Sequence, residues 1–215
     1  MAPFQQTETK LLVKVMQPKF LTLLLCLTIV TCGCTAPIEE QMQDEIPLQL
    51  SFTADTLERS EDGSSVFDLK EELISKPVLM LWIAAGCSGC HHWTDMLRES
   101  IDNGSINTST VSIISMHRWS EVESPEAVMK AFGNDDNEST YTPWPIILPN
   151  ESSRLTDYET GENTQFSIVE GFGNPVTPTV QLIGQDGIKM WQSKSYWANY
   201  TMLQEAMDVV DKIAG

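Results

Sequence analysis

The chain has 215 residues, of which 41% are hydrophobic and 20% are charged, a composition typical of a globular protein with one well-buried domain plus extensions. Its 30 acidic residues outnumber 13 basic ones, so the formal net charge is −17. Such an acidic surface disfavours nucleic acid and anionic phospholipid headgroups as partners, and it says little about chemistry.

Residues 1–34 have the layout of a secretory signal peptide. Lys10, Lys14 and Lys19 precede an apolar run over residues 20–30, as in the n- and h-regions of exported proteins. The alternative is an uncleaved transmembrane anchor, but the run is shorter than the roughly 20 residues that a spanning helix needs. We therefore predict that the protein is exported.

Two cysteines close this signal, and each follows a small residue. This arrangement resembles the lipobox of bacterial lipoproteins, which predicts lipidation at Cys34, with Cys32 as the alternative acceptor. Cleavage at Cys34 would remove Cys26 and Cys32 with the signal, so that the free thiols of the mature chain would be those of Cys87 and Cys90. That count argues against a scaffold with several disulfides.

An acidic tether is predicted to join the anchor to the folded domain. Residues 35–47 are mostly polar or acidic and contain two prolines, which favours an extended linker. Residues 48–53 then alternate like an edge strand, and residues 65–69 indicate a strand or loop before a short helix at 70–74. We predict that the domain spans residues 48–215.

The most informative motif is Cys87-Ser-Gly-Cys90, which follows a continuous apolar run at residues 78–84. The run predicts a buried central strand. If a helix begins near Ser88, Cys87 lies at its N-terminus, where unpaired N–H groups and the helix dipole favour a thiolate. Cys90 lies about one turn further along, within reach of a mixed disulfide on Cys87. The spacing predicts a nucleophile at Cys87 and a resolving thiol at Cys90.

Three other interpretations use the same residues. An inert structural disulfide would close a very short loop and stabilise the fold little. The string through His91 also matches C-x-x-C-H, the attachment signature of c-type haem, with His91 as axial ligand. A soft-metal site, for example for Cu(I), would combine the two cysteines with His91, His92 or His117. The buried strand before the motif favours redox chemistry over haem.

The middle of the chain alternates between helical and strand patterns. Apolar spacing predicts a helix that ends near residues 103–104, a second buried strand at 110–116, and a helix that begins at Ser124-Pro125. This alternation implies parallel strands. Residues 134–140 and 150–164 are polar, and the first of these stretches is interpreted as a solvated turn.

The C-terminal part predicts a hairpin and a helix. Residues 179–183 and 188–191 form two strand patterns around the turn Gly184-Gln-Asp-Gly187. The final helix is predicted to begin with a capping box between Thr201 and Gln204. Its apolar stripe is predicted to run from Leu203 to Ile213.

This order of elements resembles the thioredoxin superfamily, and most closely its membrane-tethered TlpA-like branch of thiol-disulfide oxidoreductases. Residues 77–90 match the strand and active site, Thr177-Pro178-Thr179 match the cis-proline segment, and residues 184–191 match the hairpin. Residues 142–147 look like the extended piece that lies before the cis-proline. The resemblance implies an α/β, thioredoxin-like fold, with a central mixed β-sheet flanked by helices and an N-terminal strand extension.

The resemblance also implies roles for particular residues. Cys87 and Cys90 would be catalytic, and Thr177 and Pro178 would bind the substrate backbone through an exposed extended segment. His91 is a candidate for proton transfer at Cys90, although an exposed histidine without that role fits as well. The expected partners are protein thiols or disulfides, a membrane electron donor or acceptor, and the membrane itself through the lipid anchor. Neither a cofactor nor a metal is expected.

The motif departs from this family at three places. Gly86 stands where relatives usually have Trp, Ser88-Gly89 stands where they often have Pro, and Leu81 occupies the position of a buried acid. The resemblance implies an exported reductase, anchored to a membrane and facing the periplasm or cell exterior. These departures leave the direction of electron flow open. The rivals are a haem- or copper-binding delivery module and a degenerate domain that only docks partners.

Overall fold

The computed structural model describes residues 45–134, 140–193 and 195–214. The predicted signal peptide, the lipidation site Cys34 and most of the predicted tether lie outside these residues, as does most of the polar turn at 134–140. Among the described residues, no helix has the length and apolar character needed to cross a membrane.

The described residues contain nine β-strands and five α-helices. The strands are β1 (Ser51–Asp55), β2 (Val66–Asp68), β3 (Val78–Ile83), β4 (Ser112–His117), β5 (Ile146–Ile147), β6 (Arg154–Thr156), β7 (Asn163–Ser167), β8 (Thr179–Ile183) and β9 (Lys189–Gln192). The helices are α1 (Leu69–Leu73), α2 (Ser88–Asp102), α3 (Pro125–Val128), α4 (Ile168–Gly171) and α5 (Tyr200–Ala214). A 3-10 turn lies at Ser60–Asp62, and a π-helical turn at Met129–Gly133 continues α3.

A mixed five-stranded sheet in the order β5-β4-β3-β8-β9 forms the centre of the fold. β3, β4 and β5 are parallel, while β8 runs antiparallel to β3 and pairs with β9 as a hairpin. The predicted central strand, the mixed sheet and the C-terminal hairpin are confirmed. Every residue of β3 is buried, as expected for a strand covered on both faces.

Two hydrophobic cores lie on opposite faces of this sheet. On one face, Leu79, Leu81 and Ile83 pack with buried side chains of α2, the α3 region and α5. On the other face, Val78, Met80 and Trp82 pack with residues of α1, α4 and a second sheet. Because successive side chains of a strand point to opposite faces, β3 contributes to both cores.

The second sheet is antiparallel and has the order β2-β1-β6-β7. β1 and β2 are the predicted N-terminal strand extension. β1 is not the edge strand that the sequence pattern predicted, because it pairs with β2 on one side and β6 on the other. The sequence pattern did not indicate β6 and β7, which lie in or next to the polar stretch at 150–164. β6 has three residues, of which only Leu155 is buried, too few for an alternating pattern to be recognised.

Helix α5 differs from its prediction at both ends. The side chain of Asn199, not that of Thr201, caps its first turn, because Asn199 Oδ1 accepts the N–H of Thr201 at 2.8 Å. Leu203, Ala206, Met207 and Val210 are buried as predicted, whereas Ile213 is 39% exposed. The apolar stripe therefore stops one turn earlier than expected.

Candidate active site

The dithiol motif lies where β3 passes into α2. The chain leaves β3 at Ile83, crosses a short loop over residues 84–86, and enters α2 with Cys87 as the N-cap. The Cys87 N–H donates to Ala84 O at 3.1 Å, and Cys87 Sγ accepts the N–H of Cys90 at 3.1 Å. The first cysteine therefore sits at the positive end of the helix dipole, as the spacing predicted.

Cys87 and Cys90 are joined by a disulfide, with their Cα atoms 5.2 Å apart. Cys87 is 8% exposed and Cys90 is 0% exposed. Cys90 Sγ lies 3.8 Å from Trp82 O. Cys90 and Leu81 belong to the same hydrophobic core, and both are fully buried there. The two cysteines are thus unequal, because Cys87 keeps a small exposed area and Cys90 keeps none.

The segment with Thr177 and Pro178 lies at the same end of the sheet. The Thr177–Pro178 peptide bond is cis, as the resemblance implies. Thr179 pairs with Trp82 across antiparallel strands, so the residues before β8 lie beside those that follow β3. The indole N–H of Trp119 donates to Thr177 Oγ1 at 3.3 Å, which anchors the segment to the loop after β4.

Glu123 holds the loop before Cys87, and His117 contacts Glu123. The sequence indicated His117 only as a possible metal ligand and did not indicate Glu123. Glu123 Oε2 accepts the backbone N–H of Ala85 at 2.8 Å and the Nε2–H of His117 at 3.1 Å. His117 is buried at the end of β4, and burial lowers its pKa below the ordinary value of 6.5, although its hydrogen bond to Glu123 opposes this shift. A neutral imidazole beside the carboxylate follows near pH 7.

His91 is half-buried rather than exposed. Its Nε2 lies 3.1 Å from Ala85 O, and since a carbonyl can only accept, this nitrogen carries the proton. Its ring packs against Phe132 with centroids 4.9 Å apart. These contacts give His91 a structural role at the loop before Cys87, and its proposed proton transfer at Cys90 stays a prediction.

The histidines in and near the motif have different partners. His91 binds the backbone oxygen of Ala85, His92 Nδ1 accepts the N–H of Ala198 at 3.1 Å, and His117 binds Glu123. Within the described part of the chain, no three His, Cys, Asp or Glu side chains are grouped to hold a metal. In this structure the two sulfurs are bonded to each other, and each of the three histidines contacts a group other than the dithiol.

A segment after β9 covers the start of α2. Its residues are Ser195, Tyr196, Trp197 and Ala198, and we call it the 195–198 segment. The Gly89 N–H donates to Tyr196 Oη at 3.2 Å, and the Trp93 indole N–H donates to Ser195 O at 3.3 Å. No local sequence pattern links this segment to the motif, so the sequence did not predict the contact.

Comparison with solved structures identifies the fold. The thioredoxin domain of a thiol-disulfide oxidoreductase from Bacteroides vulgatus aligns with a TM-score of 0.52 at 16% identity, covering 77% of this chain and 96% of that one. A thiol-disulfide isomerase from Corynebacterium glutamicum aligns at 0.51 and 17% identity, covering 78% and 97%. MTB dsbF, in its mixed oxidized and reduced forms, aligns at 0.51 and 16% identity, covering 77% and 99%.

These alignments give the chain a thioredoxin-like α/β fold, as the sequence predicted. At 16% to 17% identity they show the fold alone. No family model matches the sequence, and no curated protein matches it either.

Proposed function

We propose that this protein is an exported thiol–disulfide oxidoreductase that acts on protein substrates through Cys87 and Cys90. The observation that carries the proposal is the disulfide at the N-terminus of α2, in which Cys87 is the helix N-cap and keeps a small exposed area, whereas Cys90 is fully buried. The thioredoxin-like fold supports it, because proteins described as a thiol-disulfide oxidoreductase and an isomerase share that fold.

The proposed reaction transfers two electrons from the dithiol to a substrate disulfide. The Cys87 thiolate attacks one substrate sulfur, a mixed disulfide forms, and the other substrate sulfur leaves as a thiolate that takes a proton. Cys90 loses its proton and attacks Cys87 Sγ, which releases the second substrate thiol. The enzyme ends in the disulfide form seen here, and a membrane-associated thiol donor would return it to the dithiol.

Two further groups have proposed roles in this reaction. The N–H of Cys90, which donates to Cys87 Sγ, would stabilise the attacking thiolate together with the helix dipole. Thr177 and Pro178, at the same sheet end as the motif, would align the substrate backbone beside Cys87. The same groups would oxidise substrate dithiols if the reaction ran in reverse. We propose the reductase direction because the resemblance to the TlpA-like branch favours it.

Insulin-disulfide reduction with dithiothreitol tests this function. The purified full chain should accelerate precipitation of the insulin B chain, and Cys87→Ser should abolish the acceleration. Cys90→Ser should instead accumulate a mixed disulfide with the substrate. The double variant that carries both substitutions should form no mixed disulfide. A chain that is inactive in this assay and traps no substrate would exclude the proposed reaction.

We further propose that the chain is anchored to a membrane through Cys34 after export. The basic residues, the apolar run and the lipobox-like end of residues 1–34 support this proposal. Metabolic labelling with a radioactive fatty acid in a bacterial host should label the chain, and Cys34→Ser should lose the label. Retention of label by Cys34→Ser and its loss in Cys32→Ser would reassign the site to Cys32.

A further inference from the structure

Tyr196 occupies space that exists only because residue 89 is glycine. A Cβ on Gly89 would lie 2.7 Å from Tyr196 O and 2.8 Å from its ring atom Cε1. The backbone N–H of Gly89 donates to Tyr196 Oη at 3.2 Å. The glycine of the motif and this tyrosine, 107 residues apart in sequence, are therefore fitted to each other.

Neighbouring contacts hold Tyr196 in this position. Ser195 O accepts from the Trp93 indole at 3.3 Å, and the Ala198 N–H donates to His92 Nδ1 at 3.1 Å. The Trp197 ring packs edge-on against His92, with centroids 5.8 Å apart. Because the residues on both sides of Tyr196 are fixed to α2, its hydroxyl stays at the Gly89 N–H.

An N-cap side chain normally accepts from the N–H of the second or third helical residue. In α2 these donors belong to Gly89 and Cys90, with Cys87 as the N-cap. Cys87 Sγ receives the N–H of Cys90, whereas the N–H of Gly89 goes to Tyr196. The sulfur thus has one backbone donor where the helix end offers two.

We propose that Tyr196 is a positioning residue that withholds the Gly89 N–H from the Cys87 sulfur. The inference rests on the proposed function and concerns the strength of the same dithiol as a reductant. Each N–H bond to a thiolate stabilises the ionised form and hence the dithiol state. With one such bond diverted to Tyr196, the Cys87 thiolate is less stabilised, and the dithiol gives up its electrons more readily.

Tyr196→Phe tests the proposal because it removes the acceptor oxygen and keeps the ring. The Gly89 N–H then loses its tyrosine acceptor and becomes available to the Cys87 thiolate at the same helix end. The pKa of Cys87 in the reduced full chain should fall by about one unit, the size expected for one hydrogen bond to a charged group. The dithiol–disulfide equilibrium with glutathione should shift toward the dithiol by up to about tenfold. Iodoacetamide alkylation against pH, read on the Cys87 peptide by mass spectrometry, measures the pKa.

Tyr200→Phe is the matched control. Tyr200 is a similarly exposed tyrosine whose hydroxyl donates to Glu99 at 2.7 Å, so its substitution should leave the pKa of Cys87 unchanged. Gly89→Ala is the second variant, since its added methyl group must displace Tyr196. It should lower the pKa as Tyr196→Phe does, and the two changes combined should lower it little further.

The proposal is overturned if Tyr196→Phe leaves the pKa of Cys87 unchanged or raises it, because a rise would mean that the hydroxyl donates to the thiolate. It is also overturned if Gly89→Ala and Tyr196→Phe act additively. These readouts require no substrate, so they are independent of the insulin assay. An inactive chain with the expected pKa shift would refute the function and keep the role of Tyr196.

Discussion

At the scale of single residues, Glu123 links the end of β4 to the loop before Cys87. One of its carboxylate oxygens accepts from both Ala85 and His117. Charged acceptors make stronger hydrogen bonds than neutral ones, and a half-buried donor that loses its partner is destabilised. Glu123 and His91 therefore hold the loop before Cys87 from its N–H and carbonyl sides at Ala85.

We expect Glu123→Ala to lower the free energy of unfolding by about 1–3 kcal/mol, because it leaves the Ala85 N–H and the His117 Nε2–H without their acceptor. The rate of insulin reduction should also fall, since the loop before Cys87 loses its anchor. Urea unfolding and the insulin assay measure the two effects. Glu121→Ala, at an exposed neighbouring carboxylate, should change stability by less than about 0.5 kcal/mol; equal effects of the two variants would contradict the role of Glu123.

His117 should make the stability of the protein depend on pH. Burial lowers its folded-state pKa below 6.5, so the unfolded chain takes up the proton first as the pH falls. The stabilisation from the neutral imidazole is therefore complete above about pH 6.5–7 and is lost as the pH falls toward the folded-state pKa. His117→Gln should flatten the dependence of unfolding free energy on pH between about 7 and 5. Identical pH profiles for wild type and His117→Gln would disprove this assignment.

At the scale of elements, α4 approaches β6 so closely that only glycine fits between them. A Cβ at Gly171 would overlap the side chain of Leu155, and both residues are buried. Gly171→Ala should destabilise the protein by about 1–3 kcal/mol through overpacking. Gly86→Ala is the control, because its added methyl group meets no atom within 4 Å. Chemical denaturation of both variants decides this, and a Gly171→Ala protein as stable as wild type would show that β6 can move away freely.

The elements that the sequence predicted are those with strong local patterns. The buried run of β3, the cysteine spacing at the start of α2 and the Gly-containing hairpin turn of β8 and β9 are each visible within about ten residues. β6 was missed because one buried leucine makes no periodicity. The roles of Glu123 and Tyr196 were missed because their partners lie 38 and 107 residues away in sequence. Such pairings depend on how the elements pack, which one sequence does not display.

At the scale of the whole molecule, the central sheet couples the two cores. Trp82 faces the core shared with the second sheet, and its indole donates to Gln181 Oε1 of the adjacent β8 at 2.9 Å. Leu81, the next residue along β3, faces the helical core. Loosening of either core therefore disturbs the strand that delivers Cys87, which ties the stability of the N-terminal strand extension to the geometry of the dithiol.

The charge of the whole molecule predicts how salt affects its stability. A net charge of −17 means that repulsion between carboxylates opposes the compact state, and repulsion is weaker in the expanded unfolded chain. Raising NaCl from about 0.01 to 0.15 M shortens the screening length from about 30 to 8 Å, so the free energy of unfolding in urea at pH 7.5 should rise over this range and then level off. A rise that continues linearly into molar salt would indicate general exclusion of salt from the surface instead. A flat or falling profile would show that the carboxylates are spaced widely enough for their repulsion to contribute little.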